Sequence, residues 1–364
     1  MYSFTPTEEQ QMLIDAVNRY AEGDVRPAAR EAEESTQLPP ELIEKGWELG
    51  VLQASIPEDY DGFGEYSALT GVLAAEGLAY GDLAITMGVM TPNLYVLPIL
   101  LAGSEEQKKN FIPPVIEMEW KAYTAALIEP AFDFDPQALE TTATKKGKDI
   151  LLNGEKIYVP FAADAEGMII YADLDGKTQG FIVPGDSAGL SVGERQETLG
   201  VHAYPLYSLK LEDVKIPAEN QLNGPEGHGM EAILASWYIA LAATAVGVAQ
   251  AAYEYAIDYA KDREVFGVKV AQKQAIAFML AEMGTDIEAV RLMTWEAAWM
   301  LDEKKDEAYK HAYLAYSGAV DMVMMVTDRA VQILGGHGYI REHPVELWMR
   351  NGRGFAAFTG LAMI

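Results

Sequence analysis

The chain has no cysteine in its 364 residues. That excludes disulfides, thiolate nucleophiles and thiolate metal sites. Basic residues are scarce: 27 Lys and Arg face 55 Asp and Glu, a formal net charge of -28. Nucleic acid and anionic lipid both need positive charge at the contact, so neither is an expected partner, and an anionic substrate would need a local basic patch. The histidines (His202, His228, His311, His337 and His343) are scattered without metal-ligand spacing, and no metal is expected. Low-complexity segments and repeats of solenoid period are also missing. The opening "MYSFTPTEEQ" lacks a basic flank followed by an apolar core, which points to a cytoplasmic protein.

Hydrophobic residues make up 50% of the chain and charged residues 23%, so it is globular, and its length suggests two or three domains. One uncharged run, Ala232 to Tyr253, is long enough to span a bilayer. It is rich in Ala, Ser and Thr and continues directly into the charged "EYAIDYAKDRE". A buried bundle helix is expected there, and no membrane span.

Residues 1–122 read as a helical domain. "TEEQ" (Thr7 to Gln10) has capping-box spacing, and Met12, Leu13, Ala16, Val17 and Tyr20 follow at helical intervals. "PPELIEKGWELGVL", "SALTGVLAAEGLAY" and "EEQKKNFIPPVI" predict further helices, with "IPEDYDGFG" as a turn-rich break. Residues 123–222 read as an antiparallel β domain. Hairpins are predicted at Asn153-Gly154 and Asp175-Gly176, and an alternating strand runs to Pro217. Residues 223–364 return to helix, with long members predicted at Ala232–Arg263, Ala271–Glu303 and Ala308–Leu334, the makings of a four-helix bundle. The fold class is therefore multi-domain α+β.

Six local sequences occur in order: "ALIEP", "LNGEKIYV", "LEDVKIPAEN", "GPEGHGM", "DREVFGVKVAQKQAIAFMLAEM" and "QILGGHGYIREHPVELWMR". Together they resemble the acyl-CoA dehydrogenase family over nearly the whole chain. The resemblance implies a helical, a β and a helical-bundle domain, usually in a tetramer. It also implies FAD and an acyl-CoA: a glutamate takes the α proton while the flavin takes a hydride from the β carbon.

Placed in the family's register, the usual glutamate position is Thr359 within "RNGRGFAAFTGL", and the alternative position on the first C-terminal helix is Trp237, followed by Tyr238. A threonine hydroxyl is too weak a base without an activating neighbour. The hydrogen-bonding positions that the family uses around the flavin ring are Ile128, Phe134 and Pro160, and Pro160 has neither hydroxyl nor N–H. Phe132 and Phe134 are expected to add bulk there. "LGVHAY" carries His202 and Tyr204 where the family has Arg and Ser. By contrast Arg263, Phe266, Gln274, Gln332, Gly335 and Gly336 hold their register. The resemblance implies that these hold the pyrophosphate and adenine end of an FAD bound to a neighbouring subunit. An arginine supplies charge-assisted bonds to phosphate, and glycines let backbone N–H groups approach closely.

Structural explanations compete at each position. The glycines of "QILGGHG" suit a helix end at positive φ, Arg263 suits a helix cap, and the Trp237-Tyr238 pair suits core packing. Asp133, Asp135 and Glu231 are candidate replacement bases, although "AFDFDP" also suits a solvated turn. Three functions stay open: a non-catalytic or half-site subunit of a homo- or hetero-oligomer, a self-sufficient FAD-dependent acyl-CoA oxidoreductase with a displaced base, and a flavin-free binding or scaffold protein.

Overall fold

The computed structural model describes residues 5–222 and 229–364. His228 and most of the "GPEGHGM" motif lie outside the described residues. The N-terminal domain contains α1 (Glu8–Tyr20), α2 (Arg26–Ser35), α3 (Pro40–Trp47), α4 (Val51–Ala54), α5 (Ala68–Gly81), α6 (Leu83–Met90), α7 (Asn93–Ala102) and α8 (Glu105–Phe111). The capping box forms as expected: Gln10 N–H donates to Thr7 Oγ1 at 3.2 Å, and Thr7 N–H donates to Gln10 Oε1 at 3.0 Å. A second box, Ser104 with Gln107, starts α8. Helices α6 and α7 have no helical periodicity to read, because nearly every residue on them is buried.

The middle domain is one seven-stranded sheet: β1 (Tyr123–Ala126), β2 (Thr142–Lys146), β3 (Asp149–Pro160), β4 (Gly167–Leu174), β5 (Lys177–Pro184), β6 (Leu190–Arg195) and β7 (Leu206–Pro217). Most pairings are antiparallel, but β1 and β2 both run parallel to β4 along one of its edges. The hairpin at Asp175-Gly176 is present, with both residues at positive φ joining β4 to β5. The hairpin expected at Asn153-Gly154 is not. Gly154 instead lies inside β3 at a register shift, where a Cβ would come within 2.8 Å of Thr141 Cα. Asn153 is tied to Asp213 on β7 by two hydrogen bonds, so the dipeptide makes a bulge rather than a turn. The real turn is Gly147-Lys148, between the paired Lys146 and Asp149.

Strand β4 is buried on both faces. Met168, Ile170 and Ala172 enter the β domain's own core, while Ile169 and Tyr171 face the helices. The C-terminal domain has three long helices: α9 (Met230–Asp262), α10 (Gln274–Asp302) and α11 (Ala308–Leu334). Short elements follow, α12 (Gly336–Tyr339) and α13 (Val345–Arg353), and α5 of the first domain packs along α9 and α10. Helix α9 is long and apolar enough to cross a membrane, yet 94% of its most apolar window is buried inside the protein. Between α9 and α10 a small hairpin pairs β8 (Glu264–Val265) with β9 (Val268–Lys269).

Candidate functional site

The three domains meet at a partly buried ion cluster. Glu33 on α2 accepts from Arg350 on α13 and from the His202 N–H at 2.9 Å. Glu346 on α13 accepts from Arg30 Nη1 at 2.5 Å and from Arg350 Nε at 2.9 Å. Burial raises the Glu346 carboxyl, but the two guanidiniums outweigh it and hold the group below the usual carboxylate range. Arg350 is thus committed to holding the domains together.

Beside this clasp lies the turn that carries Thr359. It is half-buried, and its hydroxyl is 3.4 Å from the Tyr316 hydroxyl. Tyr316 donates to the Phe355 carbonyl at 2.7 Å, and burial pushes its phenol upward, so it keeps its proton. Among the described residues, no carboxylate or imidazole is hydrogen-bonded to Thr359. Trp237 is 0% exposed on α9 and meets the Tyr171 ring edge-on at 5.1 Å. Tyr238 stacks on Tyr316, with Tyr309 and Tyr313 around it. Core packing therefore accounts for both Trp237 and Tyr238.

Tyr204 is buried, and its hydroxyl reaches Thr91 Oγ1 at 3.1 Å. Phe161 joins the rings of Tyr204 and Trp120, at 5.9 and 4.9 Å. Leu361 to Ile364 are buried among α5, α7 and α9. Tyr66 donates to the Ile364 carbonyl at 3.0 Å, Asn93 donates to the Met363 carbonyl at 2.9 Å, and Ser236 also bonds Ile364. A cavity of about 300 Å³ remains between Tyr158, Leu206, Arg353, Phe358 and Leu361. That is the lower end of ordinary ligand clefts, roughly 300 to 1,000 Å³. Three non-glycine residues around this cleft are left-handed: Tyr158 (φ 53°), Phe161 (φ 50°) and Val201 (φ 50°). Each N–H is held, by Gln196, the Pro205 carbonyl and Asn351 respectively.

The other candidates are dispersed. Phe132 is fully exposed and fills nothing, contrary to expectation, and Phe134 packs partly against the helical core. Asp133 and Asp135 are exposed, and Asp135 accepts from the Gln137 N–H at 2.8 Å, the geometry of a solvated turn. Ile128 is buried, with its carbonyl accepting from Ile157 N–H. Glu231 is exposed in the first turn of α9, on the wall of a cavity of about 640 Å³ that Lys108, Lys304 and Lys305 also line. These lysines are a local basic patch, but Asp302 and Asp306 on the same walls offset it.

Arg263, Phe266, Gln274, Gln332, Gly335 and Gly336 are all exposed. They lie at one end of the bundle, because Tyr259, one turn before Arg263, bonds both the Leu334 carbonyl and His337. Arg263 ends α9, Phe266 tips the β8–β9 hairpin and Gln274 starts α10. Gly335 has φ 60°, and a Cβ added at Gly335 or Gly336 would meet nothing within 4 Å. An anion can therefore approach this backbone closely, with a guanidinium nearby. The pyrophosphate and adenine end of FAD fits here. At the ring end, Pro160 offers neither a hydroxyl nor an N–H, and Thr359 has no activating neighbour.

Sequence reading missed Phe161, the Tyr204–Thr91 contact and the Tyr316–Thr359 neighbourhood. Only the aromatic identity of Phe161 and Tyr204 could have signalled them.

Three family models match in chain order: the acyl-CoA dehydrogenase N-terminal domain over residues 7–119, the middle domain over 124–214 and the C-terminal domain over 229–362. The mitochondrial short-chain specific acyl-CoA dehydrogenase of Sus scrofa is 34% identical over 98% of this chain and 88% of its own length. Butyryl-CoA dehydrogenase from Megasphaera elsdenii superposes with a TM-score of 0.89 at 33% identity, covering 99% of this chain and 96% of that one. A glutaryl-coenzyme A dehydrogenase in complex with glutaryl-CoA superposes at 0.88 with 30% identity, covering 98% and 92%. From its three domains in order and this likeness along almost its full length, the chain belongs to the acyl-CoA dehydrogenase family.

Proposed function

We propose that this family member is a half-site subunit: it completes the FAD site of a neighbouring subunit that carries a glutamate, and does not itself abstract the α proton of an acyl-CoA. The observation that carries this reading is the contrast between the two ends of the cofactor site. Both family base positions hold non-bases, Thr359 and Trp237, and Ile128, Phe134 and Pro160 bring no hydroxyl to the positions that bond the flavin ring in the family. The six residues at the bundle end stand open.

FAD, when bound in such a site, supplies the hydride acceptor. In this chain Arg263 would pair with the pyrophosphate, Gly336 would offer its backbone N–H beside the bare Gly335, and Phe266 would give an apolar face to the adenine. Gln274 and Gln332 add amide hydrogen bonds. The names of its relatives, which specify short-chain, butyryl and glutaryl CoA esters, support an acyl-CoA thioester as the substrate class of the assembly.

The test is reconstitution with a co-encoded family subunit whose glutamate is intact. The lone protein is expected to be colourless, and the mixture to bind flavin and dehydrogenate acyl-CoA. Arg263→Ala in this chain is expected to weaken FAD binding by the mixture at least tenfold. A lone protein that is yellow and turns over acyl-CoA would overturn the reading. The missing base and the donorless Pro160 also suit a flavin-free scaffold, and a mixture that binds no flavin would favour that instead.

A further inference from the structure

Helices α1, α5, α9 and α10 border a cavity of about 330 Å³. None of its lining residues belongs to either end of the cofactor site. The helices approach closely here: a Cβ at Gly247 would lie 2.2 Å from the Glu76 carbonyl oxygen, so the α9 backbone touches α5. Between α1 and α2 the chain makes one π-helical turn, Ala21–Val25, which puts the exposed Glu22 on the rim of the cavity. Single π-helical turns recur at functional sites. The volume is at the lower end of ordinary ligand clefts, roughly 300 to 1,000 Å³, so a molecule of few heavy atoms fits.

The donors of the wall are already committed. Arg291 Nε donates to Glu76 at 2.7 Å, Nη2 to Gln250 Oε1 at 3.0 Å and Nη1 to Glu288, so each nitrogen of the guanidinium is directed at protein. Gln250 Nε2 donates to Glu254 at 2.5 Å, and the Tyr80 hydroxyl donates to the other Glu254 oxygen at 2.6 Å. Burial raises the Glu76 carboxyl, with Arg291 and then Trp295 opposing it, and the Trp295 N–H is closed to solvent. Arg26 lies on the Tyr80 ring at 3.8 Å and donates to the Tyr80 carbonyl, outside the cavity. What stays open is acceptor. Among the described residues, Glu254 and Glu22 make no ion pair, and the Asn18 side-chain amide makes no hydrogen bond. Glu22, Glu76 and Glu254 face a single guanidinium, so the cavity repels anions and attracts cations.

We propose that this cavity binds a short aliphatic diamine. One ammonium donates to Glu254 and the other to Glu22 at the rim, with the methylenes against Ile14 and Leu73. An ammonium carries donors only, which matches a wall whose open groups accept. The Trp295 ring adds a face that attracts a cation. Such a ligand ties the N-terminal domain to the bundle. It needs neither flavin nor acyl-CoA, so the proposal stands apart from the half-site reading.

The probe is 1,4-diaminobutane, titrated calorimetrically into the full chain at about 0.15 M salt, where exposed charges are screened beyond about 8 Å. Saturable one-to-one binding is expected, with butylamine about tenfold weaker and butane-1,4-diol giving no binding heat. Glu254→Gln, its fold checked by circular dichroism and melting, is expected to weaken binding by about tenfold or more. Glu22→Gln alters an exposed side chain without touching the packing, and is expected to weaken binding severalfold. Glu194→Gln, at an exposed carboxylate on β6, is expected to leave binding unchanged. The absence of saturable heat would overturn the proposal. So would binding that survives both Glu254→Gln and Glu22→Gln, or that Glu194→Gln weakens as much, since either marks attraction to the acidic surface as a whole. Failure of the half-site reading shows separately, as a yellow, active lone protein.

Discussion

At Thr359 the neighbour that matters is Tyr316. A phenol that already donates to a carbonyl and is pushed upward by burial withdraws no proton from the threonine beside it. Supplying a carboxylate at this position does not supply the rest of a site. Thr359→Glu is expected to leave the isolated chain without acyl-CoA-dependent dye reduction, because Ile128, Phe134 and Pro160 still bring no hydroxyl to the ring positions; measurable turnover would contradict the half-site reading. Asp82 is a second instructive residue. It caps α6 by accepting from the Ile85 N–H at 2.9 Å, and burial pushes its carboxyl up to about 6 despite that bond. The folded state therefore holds the proton more tightly than the unfolded state, whose value is near 3.9. Its contribution is fully present below about pH 4 and is lost as pH rises through about 6. Asp82→Asn keeps a cap and removes the charge. It is expected to raise stability at pH 7.5 by an amount on the order of 1–3 kcal/mol, and by much less at pH 4.5, in urea titrations of both proteins.

At the scale of elements, one buried pair fixes the route from β1 into β3. Glu129, just after β1, accepts from Lys156 Nζ at 2.8 Å and from the backbone N–H groups of Glu140 and Thr141. Lys156 is 0% exposed and also bonds the Leu127 carbonyl. Lys156→Met leaves the carboxylate buried and unpaired, at an expected cost of about 3–5 kcal/mol in chemical unfolding. Adding Glu129→Leu is expected to recover much of that loss; a double variant no better than the single one would show that the pair is not the reason. Elements with local signals were legible in the sequence. The Thr7 capping box, the Asp175-Gly176 hairpin and the bounds of α11 follow from chemistry within a few residues. Asn153-Gly154 carried the same local signal as a turn, and only its pairing with Asp213, 60 residues away, makes it a bulge. The candidate site divides in the same way. That Thr359 and Trp237 stand at the family's base positions follows from register, whereas the partner of the buried Tyr204 hydroxyl is Thr91, 113 residues away. Nothing in the local sequence encodes a contact at that distance.

For the whole molecule, a net charge of -28 is a standing repulsion that the fold must withstand. Moderate salt screens it over about 10 Å, so melting temperature is expected to rise between low and near-physiological ionic strength; a fall would point to dominance of attractive pairs such as Arg350 with Glu33. That clasp binds the three domains into one body, and it holds the walls of the cleft whatever occupies the space between them. The three left-handed residues there, Tyr158, Phe161 and Val201, are each pinned through their N–H, so the backbone around Tyr204 has little freedom to collapse inward. Truncating Tyr204 to Ala, at a cost of about 3–5 kcal/mol, is therefore expected to leave a persistent void. Its walls include the Phe161 ring, and the Thr91 hydroxyl there keeps its bond to the Met87 carbonyl, so xenon or benzene should enter it and restore part of the lost stability. The chain would then bind a guest unrelated to any metabolite, through nothing more than the rigidity of a frame whose space its own side chains now fill.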